Sequence, residues 1–232
     1  MSLANVYMER DRALIAYDTL SSRMNAPTTL SVADAIKVAQ AFDDGVHMSK
    51  CTFLTHANVA VAHRGDAMLA VSICSALQLS LLSDFDAMTE AMPQLLAQAY
   101  AQVTAFRKQQ MGIDDFHGAE IILVGWSPAL NRMEAVRWVR WPQDKGFAAS
   151  PVGKVLMLPD AEWEQKPDAP DAAEKMEAIA RDQVAYVRRK YPGYNCGGRL
   201  LLAELTRDTL SVRTVADLEA PAQGPGRPGA TC

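Results

Sequence analysis

Residues 50–67 read KCTFLTHANVAVAHRGDA, and this stretch decides the fold. Two apolar segments, Lys50 to Leu54 and Val59 to Ala62, flank a turn over residues 56–58, which predicts a β-hairpin. From Asp66 onward the apolar residues recur every three or four positions instead of every two. The stretch therefore predicts a hairpin whose second strand leads directly into a helix.

Two long helices are predicted after this hairpin. The first ends near Ser83 and places its apolar residues on one face: Met68, Leu69, Ile73, Leu77 and Leu81. Asp84 is a suitable N-cap for the second, which closes at Arg107-Lys108, where basic side chains suit the C-terminus of a helix. Because the connection is short, we expect the two helices to pack as an antiparallel pair.

Further strands and helices are predicted on both sides of this region. Strand pairs are expected at Val6–Asp18, at Ala119–Trp126 with Glu134–Trp141, and at 199–205 with 210–215, besides a single strand at Lys154–Leu158. Helices are expected from an N-cap at Ser31 and from about Asp171 to Tyr191, the latter capped by Asp168 or Asp171. Paired strands and grouped helices predict an α+β fold in which two antiparallel sheets face each other, with helices outside both.

Composition argues against several classes of protein. The 232 residues carry a net charge of −4, and nucleic-acid binding normally needs a basic surface. No run approaches the roughly 20 apolar residues of a membrane span, and the start lacks the pattern of a signal peptide. The four cysteines and four histidines show no metal-ligand spacing, which argues against a metal site and favours a reducing, cytoplasmic compartment.

The order of the elements resembles that of the proteasome β-subunit and HslV branch of the N-terminal nucleophile (Ntn) hydrolases. Three segments carry the resemblance: ALIAYDTLSS at 13–22, the 50–67 stretch, and CGGRLLLAELTRDTLSV at 196–212. The resemblance implies a four-layer α-β-β-α sandwich in a single domain over residues 1–218. Residues 219–232 are rich in proline and glycine and are predicted to form a disordered tail.

The resemblance also implies a catalytic site. The family's nucleophile is the first residue of the mature chain, which here is Ser2 after removal of Met1. Its own α-amine, with a pKa of about 7.7–8.0, would take the proton of the hydroxyl. Asp18 and Lys50 are expected beside the nucleophile, where the ammonium stabilises developing negative charge, and the backbone N–H of Gly65 is expected to form the oxyanion hole.

The sequence departs from the family pattern at several points. The nucleophile is serine rather than the usual threonine, and the segment between Asp18 and Lys50 is longer than usual. The motif Asp-x-x-Ser-Gly-Gly is replaced by residues 193–198, which lack the aspartate and place Cys196 where serine would stand. Ser150 is only a loose candidate for the supporting serine. The bulky pair at 63–64 precedes Gly65, where the family has small residues.

The function implied by the resemblance is hydrolysis of amide bonds, most of all in peptides, by a cytoplasmic homo-oligomer of the ring type. It requires no cofactor, no nucleic acid and no membrane. Two alternatives stay open at the level of sequence. The chain could be a catalytically inactive assembly or scaffold subunit with the same fold, or an Ntn amidase that acts on a small molecule.

Overall fold

The computed structural model describes residues 2–21, 46–47, 49–112, 116–191 and 196–219. Within these ranges the strands are β1 (Ala4–Met8), β2 (Arg12–Asp18), β3 (Leu20–Ser21), β4 (Val46–His47), β5 (Cys51–Leu54), β6 (Val59–Gly65), β7 (Ala119–Ser127), β8 (Arg132–Arg140), β9 (Ala148–Pro151), β10 (Val155–Leu158), β11 (Arg199–Thr206) and β12 (Leu210–Asp217). The helices are α1 (Ala67–Leu79), α2 (Phe85–Phe106) and α3 (Ala173–Lys190), and a π-helical turn (Arg107–Met111) continues α2. The predicted helix at Ser31 and the tail beyond Glu219 lie outside the described residues.

The strands form two five-stranded antiparallel sheets. The first has the order β10-β1-β2-β11-β12 and the second the order β5-β6-β7-β8-β9, while β3 and β4 form a separate short pair. Each predicted hairpin is present with its strands directly paired. In the second sheet every neighbouring strand follows its partner in sequence, which explains why the hairpins could be recognised from local pattern alone.

Three hydrophobic clusters separate the four layers of the fold. One lies between the second sheet and helices α1 and α2, and it includes Ile73, Met92 and Leu123. The next lies between the two sheets. The third lies between the first sheet and α3, and it includes Leu14 and Val187. The predicted α-β-β-α sandwich with two antiparallel sheets is therefore confirmed.

Strand β2 shows why the sequence of this fold has continuous apolar runs. Ile15 faces the other sheet, whereas its neighbours Leu14 and Ala16 face α3. A strand that is buried on both faces needs apolar residues at every position, not at every second one. The run ALIAY is thus the pattern of a central strand, and the aspartate that follows it marks the point where the strand reaches the candidate site.

The predicted starts of α1 and α2 match the structure, but the predicted end of α1 and the predicted cap of α3 do not. Helix α1 ends at Leu79 rather than near Ser83, because Leu81 has a φ of +54° and cannot continue a right-handed helix. Asp66 and Asp84 cap α1 and α2, accepting hydrogen bonds from the amides of Leu69 (3.0 Å) and Ala87 (2.9 Å). The predicted cap of α3 was wrong. Its N-cap is Ala172, which makes no side-chain capping bond, because Asp171 instead forms an ion pair with Lys175 one turn later, at 2.9 Å.

Strand β9 was not predicted as a strand. Its four residues, AASP, are all exposed at the edge of the second sheet and therefore carry no apolar alternation.

No helix in the described ranges is both long enough and apolar enough to cross a membrane.

Candidate active site

One end of the sandwich brings together the residues that the resemblance singled out. Because β1 and β2 are antiparallel, the chain before β1 lies next to the end of β2, so Ser2 is near Asp18. Because β5 and β6 are antiparallel, Lys50 at the start of β5 is near Gly65 at the end of β6. The topology thus collects four residues that span 64 positions of the sequence at one edge of the two sheets.

Lys50 and Asp18 form a buried ion pair between the two sheets. Lys50 Nζ lies 2.7 Å from Asp18 Oδ2, and the side chains are only 3% and 0% exposed. The ammonium also donates to the carbonyl oxygen of Leu20. Two backbone amides complete the shell of the carboxylate, from Leu3 to Oδ1 at 2.8 Å and from Gly197 to Oδ2 at 3.0 Å. Desolvating both charges costs several kcal/mol each, so this pair is not a simple source of stability.

Ser2 is anchored through its backbone. Its carbonyl oxygen accepts a hydrogen bond from Arg64 Nε at 2.6 Å. The amide of the next residue, Leu3, is the group that donates to Asp18. The peptide unit that joins Ser2 to Leu3 is therefore held at both of its polar groups by charged side chains, of which Asp18 is fully buried and Arg64 largely so.

Arg64 belongs to an ionic cluster that the sequence analysis did not recognise. Glu120 is buried and binds Arg64 through one carboxylate oxygen and Arg137 through the other. Sequence reasoning noted Arg64 only as unusually large for its position. The signal that could have revealed the cluster is Glu120 itself, a single acid inside the apolar strand AEIILVGW, because a buried carboxylate requires a basic partner.

Gly65 makes the tight passage from β6 into α1. Its φ is +87°, and a Cβ at this position would lie 2.3 Å from the carbonyl oxygen of Gly118. The amides on either side of Gly65 define its orientation. The amide of His63 donates to the carbonyl oxygen of Lys50, on the side of β5, and the amide of Asp66 donates to the carbonyl oxygen of Gly118, on the side of β7. Since amides alternate along a strand, the N–H of Gly65 points to the side of Lys50.

The turn is held in place from α2. Arg107, in the π-helical turn, contacts both carboxylate oxygens of Asp66 at 2.5 and 2.8 Å. The same carboxylate caps α1, so one side chain fixes the helix N-terminus directly after Gly65. A bidentate contact of this kind restrains both position and orientation.

Two further titratable groups at this end are kept uncharged. Burial, and next the positive charge of Lys50, lower the pKa of His63 to about 4, although a hydrogen bond with the backbone of Ser49 acts in the opposite direction. Burial, and next the negative charge of Asp18, raise the pKa of Cys196 to about 12. At neutral pH the imidazole is neutral and the thiol is protonated, and a protonated thiol is a poor nucleophile.

The remaining sequence candidates are only partly placed. Ser150 lies exposed on β9, opposite Arg137 in the register of the sheet. Residues 193–195, which precede Cys196, lie outside the described residues. Over the described ranges no three histidine, cysteine or acidic side chains are grouped so that they could hold a metal ion.

Neither a known protein family nor a curated protein matches the sequence. Two solved structures do match the fold. One is a Gly-1 mutant of Anbu from Hyphomicrobium sp. strain MC1, with a TM-score of 0.53 and 11% identity over 93% of this chain and 88% of that chain. The other is Anbu from Yersinia bercovieri, described as an ancestral beta-subunit, with a TM-score of 0.52 and 12% identity over 93% and 87%. At such low identity the similarity establishes the fold alone, and that fold is proteasome-like, as the order of the strands and helices predicted.

Proposed function

We propose that this protein is an N-terminal nucleophile hydrolase that cleaves amide bonds in peptides, with Ser2 as the nucleophile after removal of Met1. The observation that carries the proposal is the buried Lys50–Asp18 ion pair, which lies beside the first residues of β1. An ion pair that is almost fully buried contributes little to stability alone, because desolvating the two charges offsets their attraction. A positive charge fixed beside a hydroxyl has a direct use in catalysis, because it favours the alkoxide.

The reaction begins with proton transfer. The free α-amine of Ser2 takes the hydroxyl proton, and Oγ attacks the carbonyl carbon of the substrate amide. The tetrahedral intermediate collapses as the same proton passes to the leaving amine, which breaks the C–N bond and leaves an ester on Oγ. Water then attacks this ester, with the α-amine again as the base, and releases the acid.

Lys50 and Asp18 divide the electrostatic work. The ammonium has three hydrogens, of which two point to Asp18 and Leu20. We assign the third to Oγ of Ser2. Asp18 takes no proton in this scheme, since its carboxylate keeps the ammonium charged and oriented.

Gly65 is assigned to the oxyanion hole. Its N–H is on the side of Lys50 and lies at the N-terminal end of α1, where the helix dipole favours negative charge. The carboxylate of Asp66 would oppose this field, and the bidentate contact from Arg107 neutralises it.

Assembly is the second part of the proposal. Several large apolar side chains around α1 are exposed, among them Val71, Leu79 and Leu81. Where such side chains join into one patch, the patch is typical of a subunit contact. We propose a homo-oligomeric ring in the cytoplasm. Native mass spectrometry of the purified protein would test the number of subunits in the assembly.

Intact-mass measurement tests the catalytic proposal. The wild-type protein should lack Met1 and should gain the full mass of a peptide β-lactone, because ring opening acylates Oγ without a leaving group. Ser2→Thr should still react, since threonine offers the same hydroxyl. Ser2→Ala should not react, and Ser211→Ala, at an exposed serine of β12, should behave as wild type.

Retained Met1 would overturn the mechanism, because no free α-amine would then exist at Ser2. An adduct that persists in Ser2→Ala would assign the reactivity to another residue. A ring that assembles normally but forms no adduct would instead assign the chain to the scaffold alternative.

A further inference from the structure

The peptide unit between Ser2 and Leu3 is held in an unusual way. Its carbonyl oxygen accepts from Arg64 Nε at 2.6 Å, and its N–H donates to Asp18 Oδ1 at 2.8 Å. Both partners are charged side chains, and they come from different sheets. Hydrogen bonds to ionised groups are roughly twice as strong as those between neutral groups. The plane of this peptide is therefore fixed by two strong contacts that oppose each other.

Arg64 is itself held in place. One of its terminal nitrogens binds Glu120, whose second oxygen binds Arg137. The Arg64 side chain is 10% exposed and that of Glu120 is 3% exposed, so water competes little for either. The guanidinium fork serves both contacts at once, with Nε on the carbonyl and Nη1 on the carboxylate. A lysine has no second nitrogen and cannot reproduce this geometry.

We propose that Arg64 is a positioning residue for the nucleophile, acting through the carbonyl of Ser2 and braced by Glu120. The inference rests on the proposed function, because it assigns a purpose to the orientation of Ser2. Arg64 does not touch Oγ or the reacting carbonyl in this scheme. It fixes the backbone from which both Oγ and the α-amine project, and so it sets the direction of attack.

The chemistry makes this positioning necessary. In an N-terminal nucleophile the base and the nucleophile belong to one terminal residue, which has no chain before it to restrain it. A displacement of about 1 Å at a reacting group can lower a rate by about 100-fold. The restraint must come from the carbonyl side of the residue, which is where Arg64 binds.

Acylation kinetics with the peptide β-lactone test the proposal. We expect Arg64→Gln to lower the first-order rate constant of acylation about 10- to 100-fold while the concentration for half-maximal rate changes less than twofold. Arg64→Lys keeps the charge opposite Glu120 and should fold as wild type, yet it should recover only part of the rate. Arg213→Gln, at an exposed arginine of β12, is the matched control and should react as wild type.

A second measurement does not depend on catalysis. In the Ser2→Ala background, which cannot be acylated, hydrogen exchange of the Leu3 amide reports whether the peptide unit is clamped. Adding Arg64→Gln should speed this exchange at least tenfold, and adding Arg213→Gln should leave it unchanged. This arm also works if the variants differ in stability, because amides in the centre of β2 serve as internal references.

The possible outcomes separate the two proposals. If the wild type forms no adduct at Ser2 but Arg64→Gln frees the Leu3 amide, the proposed function fails and the clamp remains a structural one, which overturns its role in catalysis. If Ser2 is acylated normally in Arg64→Gln, or if the Leu3 amide exchanges at an unchanged rate, the positioning role of Arg64 is wrong although the hydrolase proposal stands.

Discussion

The space between the two sheets has an apolar middle and an ionic end, and three strands of the second sheet contribute to both. In the middle these strands contribute Ala60 and Ala62 on β6, Ile122 and Val124 on β7, and Met133 and Ala135 on β8. Two positions further toward the candidate site, these strands carry Arg64, Glu120 and Arg137 instead. On each of these strands, the last apolar residue and the first charged residue on the same face are therefore only two positions apart.

The two regions differ in what they contribute to the molecule. Apolar burial stabilises by about 25 cal/mol per Å² of surface removed from water. A buried ion cluster gains little on balance, and replacing it by apolar residues is often neutral or stabilising. The middle thus holds the sheets together, whereas the ionic end fixes geometry beside Ser2. Four predictions test this contrast.

The largest effect is expected from Glu120→Gln. This change leaves two arginines of the ionic end without their counter-charge, and breaking a buried ion pair from one side costs about 4 kcal/mol of unfolding free energy. Urea denaturation followed by circular dichroism would measure the loss. Glu204→Gln removes a half-exposed carboxylate that lies 3.7 Å from Arg12, and it should cost less than about 1 kcal/mol. Equal losses of unfolding free energy in the two variants would show that the ion pairs of Glu120 cost no more to break than an exposed pair.

The next prediction compares two glycines with positive φ. A Cβ at Gly65 would lie 2.3 Å from a carbonyl oxygen, while a Cβ at Gly112, with φ +66°, would meet nothing within 4 Å. We expect Gly112→Ala to cost about 1 kcal/mol from backbone strain alone, and Gly65→Ala about 3 kcal/mol because the clash is added. Denaturation midpoints would show the difference. Similar losses would mean that the passage from β6 into α1 is less crowded than its geometry indicates.

A pH-dependent loss of stability is expected from His63. Its pKa is lowered to about 4 in the folded protein, mainly by burial, so the unfolded chain binds more protons between pH 6.5 and about 4. Stability is complete above pH 6.5 and is lost as the pH falls through this window. From pH 7 to pH 5 the loss attributable to His63 is about 2 kcal/mol.

His63→Gln isolates this contribution, because glutamine has no proton to gain. Urea midpoints at pH 7 and pH 5 should fall further in the wild type than in the variant. Parallel behaviour of the two proteins would show that the imidazole is not kept neutral at this end of the sandwich.

Sequence reasoning recovered the parts of this fold that are written in local patterns. The 50–67 stretch predicted β5, β6 and the start of α1 because each has its own apolar period, and grouping the elements predicted the layers. The proximity of Lys50 to Asp18 followed from the resemblance, and the structure places them in contact. The edge strand β9 was missed because its exposed residues have no period.

The ionic end shows the limit of such reasoning. Arg64 and Glu120 are 56 positions apart, and Arg137 is a further 17 away. No spacing in the sequence links them, because their contact depends on the register of β6, β7 and β8. A lone acid in an apolar strand indicates that a partner exists, but only the sheet identifies the partner.

The smallest effect is expected in the apolar middle, from Ile122→Val. Ile122 is fully buried on the same strand as Glu120 and two positions from it. Removing one methylene should cost about 1 kcal/mol of unfolding free energy, since the surrounding side chains relax only partly into the space. The rate of acylation by the β-lactone should stay within twofold of wild type. Arg64→Gln should instead slow acylation strongly, whatever it costs in stability, because it alters the orientation of Ser2. If Ile122→Val slowed acylation as strongly as Arg64→Gln, the two regions would act as one unit, and the separation of stability from positioning along these strands would be wrong.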